Sequence, residues 1–242
     1  VNTIGLIGYP LSHSKSPELF HEIFDRNGLS DWEYKLFPLS SIGELSNLLN
    51  QEQNLVGFNV TIPYKEQILP FLSSISPEAD HIGAVNTVTV NGNTLTGHNT
   101  DAFGFEKSLN ANNIQPKNCL ILGTGGASKA VDFVLQKMSV GIQFASRKTN
   151  EGHLNYTEIT GEMLSEFDTI VNTTPLGMHP NLDSAPDLPY KALNQNQTLV
   201  DLVYNPKKTE FLKRGELAGC QTLNGIDMLR FQAEKAWALF SQ

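Results

Sequence analysis

The sequence predicts an α/β protein built as two α/β domains, and three observations predict it. Short apolar runs of strand length alternate with segments of helical period along the chain. One strand–helix step, at residues 118–128, is joined by a glycine turn. The alternation before residue 101 lacks such a turn, and the alternation after it begins with one. The reading is a first domain over 1–101, a second over 102–224, a cleft between them, and a last helix over 225–242 that packs back on the first domain. No internal repeat, low-complexity segment or long linker interrupts this pattern.

In chain order, Thr3 to Ile7 is a strand stopped by Gly8-Tyr9-Pro10. Ser16 followed by Pro17 is a helix start, a hydroxyl cap and then proline at the first helical position. Leu19, Phe20, Ile23 and Phe24 share a face of that helix, and Gly28 ends it. Capping alone would account for Ser16. Ser12, Ser14 and Ser16 with His13 and Lys15 are more than a cap requires, and they would seat a small carboxylate. Trp32 to Leu39 reads as a strand, and Ile42, Leu45, Leu48 and Leu49 as a helix face. The apolar run from Val56 is a strand whose pairing Pro63 ends, and Ile68, Leu69, Phe71 and Leu72 suggest a helix after it. Asn59, Thr61 and Lys65 then gather at a strand's carboxyl end, where open α/β sheets hold ligands. Ala84 to Val90, the Asn91-Gly92 turn and Thr94 to His98 form a hairpin with Asn86 near its start. Asn99-Thr100-Asp101 opens the next helix, with Asp101 a candidate N-cap.

Cys119 to Leu122 is an apolar run of strand length. Gly123, Thr124, Gly125 and Gly126 follow, and from Ala127 onward the period is helical. That order brings free backbone N–H groups and the positive helix end to one point, which suits a pyrophosphate. Ser128 stands where the usual pattern has a third glycine, and a strand–helix turn without a ligand is the alternative. The strand Val140 to Ala145 ends in Ser146-Arg147-Lys148, 24 positions past Gly123 at Arg147. An NAD site carries an acid there for the ribose hydroxyls; a serine with two cations fits a 2′-phosphate instead, so the residues favour NADP. Further strands are read at Thr169–Asn172, Thr198–Val203 and Cys220–Leu223, with a helix around Phe211 and Leu212. Asn224-Gly225 turns into the last helix, and Gln232 falls within its apolar seam, bonding a core neighbour or a ligand.

Bulk properties narrow the class. The chain has 242 residues, of which 40% are hydrophobic and 17% charged, with a formal net charge of -8. An acidic chain without a Lys/Arg run is a poor partner for nucleic acid. No apolar stretch approaches the ~18 residues of a membrane span, and the first residues lack the pattern of a secretory signal. Cys119 and Cys220 both fall in apolar stretches, which suits a reducing cytoplasm. The six histidines show no metal-ligand spacing, so no metal is expected.

Taken together, several motifs resemble the shikimate dehydrogenases over nearly the whole chain. They are Ser14-Lys15-Ser16-Pro17, Asn59-Val60-Thr61-Ile62-Pro63-Tyr64-Lys65, Gly83-Ala84-Val85-Asn86-Thr87 and Asn99-Thr100-Asp101 in the first half. Gly123-Thr124-Gly125-Gly126-Ala127, Asn172 through Met178, Asp201 through Pro206 and Gln232-Ala233 follow in the second. The resemblance implies an N-terminal substrate domain, a Rossmann-like NADP domain and a closing C-terminal helix. It implies reversible NADPH-dependent reduction of 3-dehydroshikimate to shikimate, in aromatic amino-acid biosynthesis. By matching position it makes Lys65 and Asp101 the catalytic pair. Ser14, Ser16, Thr61, Asn86, Tyr204 and Gln232 become substrate contacts. Gly123 through Ala127, Ser146, Arg147, Lys148, Leu202 and Gly225 become cofactor contacts. Ser146 and Lys148 stand where the family often has Asn and Thr, the Glu151 region lacks a second arginine, and Asp227 stands where many members have glycine. The expected partners are the small-molecule substrate and at most a second copy of the chain, as a monomer or homodimer. The alternatives are a quinate/shikimate dehydrogenase using NAD(P), a methylene-tetrahydrofolate enzyme on a similar plan, and a ligand sensor without turnover.

Overall fold

Asn2–Gly8 (β1) is buried from Thr3 onward, as a parallel strand covered on both faces must be. Its side chains alternate between two cores: Ile4 and Leu6 enter one, Ile7 the other. The computed structural model describes residues 1–147 and 152–242. It divides into one unit of Val1–Phe103 with Arg230–Gln242 and another of Gly104–Leu229.

The first unit continues with Ser16–Asn27 (α1), Trp32–Pro38 (β2), Leu45–Gln51 (α2), Leu55–Val60 (β3), Ser74–Ile75 (β4), Pro77–Ile82 (α3), Thr87–Asn91 (β5) and Thr94–His98 (β6). The sheet order is β2-β1-β3-β5-β6-β4. β1 runs parallel to β2 and β3, and β5 is antiparallel to both β3 and β6. One face packs Phe58, Val60, Val88 and Leu95 against Leu45, Leu48 and Ala79. The other packs Ile4 and Leu6 against Phe20, Ile23 and Phe24 of α1 and against Ala233, Ala236 and Phe240 of the last helix.

The second unit holds most of Asp101–Ala111 (α4), then Asn118–Leu122 (β7), Gly126–Lys137 (α5), Gly141–Ser146 (β8), His153–Asn155 (β9), Gly161–Ser165 (α6), Thr169–Asn172 (β10), Thr198–Asp201 (β11), Glu210–Leu217 (α7) and Gln221–Leu223 (β12). Ile226–Phe240 (α8) starts here and continues into the first unit. All neighbouring strands are parallel, in the order β12-β11-β10-β7-β8-β9. The order reverses between β7 and β10, the switch point outside which such sheets bind ligands. Gly123 follows one of these strands and Thr173 the other.

Several local expectations are corrected. The apolar cluster from Ile68 to Leu72 forms one 3-10 turn, Leu69–Phe71, and no α-helix. Pro70 lies inside it and lacks the N–H that a helix would need. The strand from Val56 ends at Val60, the hairpin starts at Thr87, and the strand from Thr198 ends at Asp201. β4, α3, β9 and α6 are too short to show a period in sequence.

Gly57 sets how closely α8 seats on the first sheet. A Cβ there would lie 2.5 Å from the Phe240 ring and 2.6 Å from the Val88 carbonyl oxygen. Gly57→Ala is expected to lower unfolding free energy by about 1–3 kcal/mol through overpacking, measured by urea denaturation; an unchanged midpoint would show that α8 is not held at this point.

Candidate active site

The loops after β1 and β3 lie side by side. Tyr9 N–H donates to the Ile62 carbonyl at 3.0 Å, and Thr61 N–H to the Ile7 carbonyl at 2.9 Å. A Cβ on Gly8 would lie 2.4 Å from Thr61 Cγ2. Thr61 is half-buried here, beside the loop that leads into α1. At the start of α1 the expected Ser16 cap is corrected. Lys15 holds the N-cap position without a side-chain bond, and Ser16 is the first helical residue. Ser14 Oγ accepts from the Ser16 N–H at 3.2 Å, which brings the Ser14 hydroxyl to the helix N-terminus.

Lys65 is placed by its own backbone and by Tyr64. Its carbonyl accepts from Val85 N–H at 2.8 Å, and the buried Tyr64 hydroxyl donates to the Leu39 carbonyl at 2.7 Å. Lys65 Nζ lies 2.6 Å from Asp101 Oδ2, with the side chains 16% and 8% exposed. Asp101 is free for this pairing because Asn99, not Asp101, caps α4: Asn99 Oδ1 accepts from Ala102 N–H at 3.1 Å. Short polar side chains compete for such cap positions, and sequence alone does not say which wins.

Beside the ion pair lies a buried amide and hydroxyl network. Asn86 Oδ1 accepts from Thr100 N–H at 2.6 Å. Asn86 Nδ2 donates to Thr100 Oγ1 at 2.9 Å and to Gln232 Oε1 at 3.3 Å. Thr87 Oγ1 donates to Asn86 Oδ1 at 3.2 Å, and Asn59 Nδ2 donates to Thr87 Oγ1 at 3.1 Å. Tyr34 OH closes the line by donating to Asn59 Oδ1 at 3.0 Å. Thr87, Thr100 and Tyr34 were not among the sequence candidates. Thr100 and Thr87 flank candidates in their motifs, and that adjacency was the available signal.

In the second unit, Gly123 adopts φ +105°, a backbone that side-chain-bearing residues rarely take. Gly125 is the N-cap of α5 without a side-chain bond, and a Cβ there would meet nothing within 4 Å. The first helical N–H groups have no intrahelical acceptor. Thr124 is exposed, Gly126 and Ala127 are half-buried, and Ser128 Oγ turns inward to the Gly125 carbonyl at 2.7 Å. This open cradle on a 12-residue helix fits a pyrophosphate. Ser146 is buried at the end of β8 and Arg147 is exposed just beyond it, which fits a 2′-phosphate. Lys148 and the Glu151 position lie outside the described residues. Leu202 and Tyr204 are half-buried after β11, and Gly225 is buried before α8.

Two further residues end buried strands here. Asn172 Nδ2 donates to Asp201 Oδ1 at 3.0 Å, Val203 N–H donates to the same oxygen at 3.0 Å, and Thr209 Oγ1 donates to Oδ2. Burial pushes the Asp201 carboxyl up to about 6, while the bonds from Thr209, Val203 and Asn172 pull the other way. Among the described residues, no three His, Cys, Asp or Glu side chains gather as a metal site.

Comparison with known proteins adds to this geometry. The model for the shikimate dehydrogenase substrate binding domain matches residues 6–88. A shikimate dehydrogenase (NADP(+)) of Clostridium botulinum is 39% identical over 250 residues, spanning 98% of this chain and 96% of that one. Among solved structures, shikimate dehydrogenase 1 from Peptoclostridium difficile superposes with TM-score 0.88 at 37% identity, over 100% of this chain and 92% of that one. Shikimate 5-dehydrogenase from Thermus thermophilus, in complex with NADP(H) and shikimate, gives 0.89 at 30% identity, over 100% and 94%.

The Asp201 carboxyl generates a pH prediction. Its folded value of about 6 lies above the ordinary aspartate value of 3.8, so the folded chain binds the proton more tightly than the unfolded chain does. Its contribution is therefore most favourable below about pH 4 and is lost as pH rises through about 6, a loss of about 3 kcal/mol. Unfolding free energies of wild type and Asp201→Asn, measured from pH 4 to 7, are expected to diverge in the mutant's favour over that window and to run parallel above it. A difference independent of pH would show that Asp201 does not titrate there.

Proposed function

This chain belongs to the shikimate dehydrogenase family, and from that premise we propose that Lys65 and Asp101 carry the reversible reduction of 3-dehydroshikimate to shikimate with NADPH. The observation that carries the reading is the largely buried ion pair between them, 2.6 Å long, beside an amide network suited to a polyhydroxylated ring. NADPH, when bound, supplies the hydride. Reduction of the ring ketone would put negative charge on the carbonyl oxygen, and a donor must stand within reach of it. Lys65 Nζ donates the proton that turns the oxyanion into the hydroxyl, and in the reverse direction it takes that proton back. Asp101 orients the ammonium and accepts from a ring hydroxyl.

Ser14 and Ser16 hold the substrate carboxylate at the N-terminal end of α1, where hydroxyl donors and the helix end both favour an anion. Thr61, Asn86, Tyr204 and Gln232 bond the ring hydroxyls. Asn86 and Gln232 reach the ring with their amides already oriented by Thr100 and Thr87. Gly123 through Ala127 cradle the pyrophosphate, Ser146 and Arg147 bind the 2′-phosphate, and Leu202 and Gly225 line the rest of the cofactor seat. We place the first unit as the substrate-binding part and the second as the NADP-binding part. Both cysteines are free and buried, which supports a reducing cytoplasmic setting. No helix among the described residues is long and apolar enough to cross a membrane.

The test is the absorbance of NADPH during oxidation of shikimate, run with NADP+ and NAD+ and with shikimate and quinate. Turnover is expected with shikimate and NADP+; preference for quinate or NAD+ would overturn the substrate or cofactor assignment, and absence of turnover would overturn both. Lys65→Ala should lower kcat by ~10²-fold or more with KM for shikimate nearly unchanged; if kcat holds and KM rises, Lys65 is a binding residue. Arg147→Ala should raise KM for NADPH by about tenfold and leave that for NADH alone, since only the phosphate ester meets the guanidinium.

A further inference from the structure

We infer that Asp201 is a positioning residue for cofactor binding, clamping together the loops that follow β10 and β11 beside the glycine elbow. The inference rests on the assignment of Gly123–Ala127, Leu202 and Gly225 to the cofactor. Asp201 itself is fully buried at the last position of β11, and no step of the reaction uses it.

A buried carboxylate without compensation is costly. Asp201 receives three hydrogen bonds, and none of the donors carries a charge. They come from three separate segments: Asn172 at the end of β10, Val203 two residues beyond Asp201, and Thr209 at the N-cap of α7. An apolar residue would fill the space but could not hold these three segments in register. The orientation of Asn172 is decided by the same network. Its Oδ1 accepts from Thr174 N–H at 3.1 Å and from Thr174 Oγ1 at 2.6 Å, so its Nδ2 must face Asp201.

The clamp connects to both ends of the cofactor seat. Thr173 N–H and Oγ1 donate to the Leu122 carbonyl at 3.0 and 2.7 Å. A Cβ on Gly123 would lie 2.7 Å from Thr173 Oγ1. Leu202 N–H donates to the Asn172 carbonyl at 3.0 Å, and the Leu202 carbonyl oxygen would lie 2.1 Å from a Cβ on Gly225. A continuous line of contacts thus runs from Gly123 through Thr173, Asn172, Asp201 and Leu202 to Gly225. Asp201 is the side chain in that line that joins β11 to both neighbouring loops. Loosening it lets the Leu202 and Thr173 segments shift relative to the elbow and Tyr204 with them, while Asn86 and Gln232 of the first unit keep their own network.

The test is calorimetric titration of the full chain with NADP+, with KM for shikimate measured in parallel. Wild type is titrated first, and failure to bind NADP+ removes the cofactor assignment and this inference with it. Asp201→Ala is expected to weaken NADP+ binding by about tenfold or more, with a smaller rise in KM for shikimate, since Tyr204 alone of the proposed substrate contacts follows β11. Asp201→Asn keeps an acceptor for Asn172 and Val203 and offers an N–H to Thr209, so its affinity should lie within about threefold of wild type. Wild-type affinity in Asp201→Ala overturns the inference, and so does an Asp201→Asn variant as impaired as Asp201→Ala. If Asp201→Ala does not fold, Thr209→Val carries the test. NADP+ binding weakened about threefold or more, with a smaller rise in shikimate KM, supports the clamp, and wild-type affinity overturns it.

Discussion

A parallel strand packed on both faces can carry a polar side chain at its end and almost nowhere else. Between an opening threonine and their last residues, Asn172 and Asp201, β10 and β11 are apolar and buried. β3 delivers Asn59 near its end and Thr61 and Lys65 just beyond it, and β7 runs directly into Gly123. The sheets are therefore more than a scaffold under the chemistry. Their burial leaves the carboxyl ends as the place where polar groups cost little, and the glycine turn and the lysine loop both occupy such ends.

Groups brought to those ends still have to be satisfied, because an unpaired buried amide or hydroxyl costs about 1–3 kcal/mol. The first unit meets that demand with a line of bonds from Tyr34 through Asn59, Thr87 and Asn86 to Thr100 and Gln232. Tyr34 also stacks on Phe20 with ring centroids 4.4 Å apart, which ties the polar line to the apolar core. Each amide in the line has one orientation that satisfies its neighbours. A side chain held in this way meets a ligand with little reorganisation, which is what binding and catalysis both reward. The Lys65–Asp101 pair adds charge to that ordered setting.

Some of this was legible in the residues and some was not. The glycine elbow was legible because strand burial, positive φ and helical period leave marks on residue type. Lys65 and Asp101 were legible only through the motifs around them; taken alone they read as a surface lysine and a helix cap. Asn99, Thr100 and Asp101 are all acceptable cap residues, so capping stays an open reading of Asp101 in the sequence, and the structure gives the cap bond to Asn99. The turn at Leu69–Phe71 was read as a helix because apolar spacing outweighed Pro70, whose missing N–H decides the matter. Thr87 and Thr100 passed as ordinary strand and loop residues, since their hydroxyls gain meaning only from what lies across the sheet.

From the sequence by itself came the alternation of strands and helices, the anion-binding turn, the preference for a 2′-phosphate and the family motifs. Each of these is local: it depends on residue type and spacing within a few turns of chain. The tertiary structure decided which polar side chains meet. Asn86 and Gln232 are 146 positions apart and bonded, Lys65 and Asp101 are 36 apart and paired, and Asn172, 29 positions from Asp201, donates a hydrogen bond to it. Such pairings depend on strand order and register, which are set by the cooperative burial of the whole sheet.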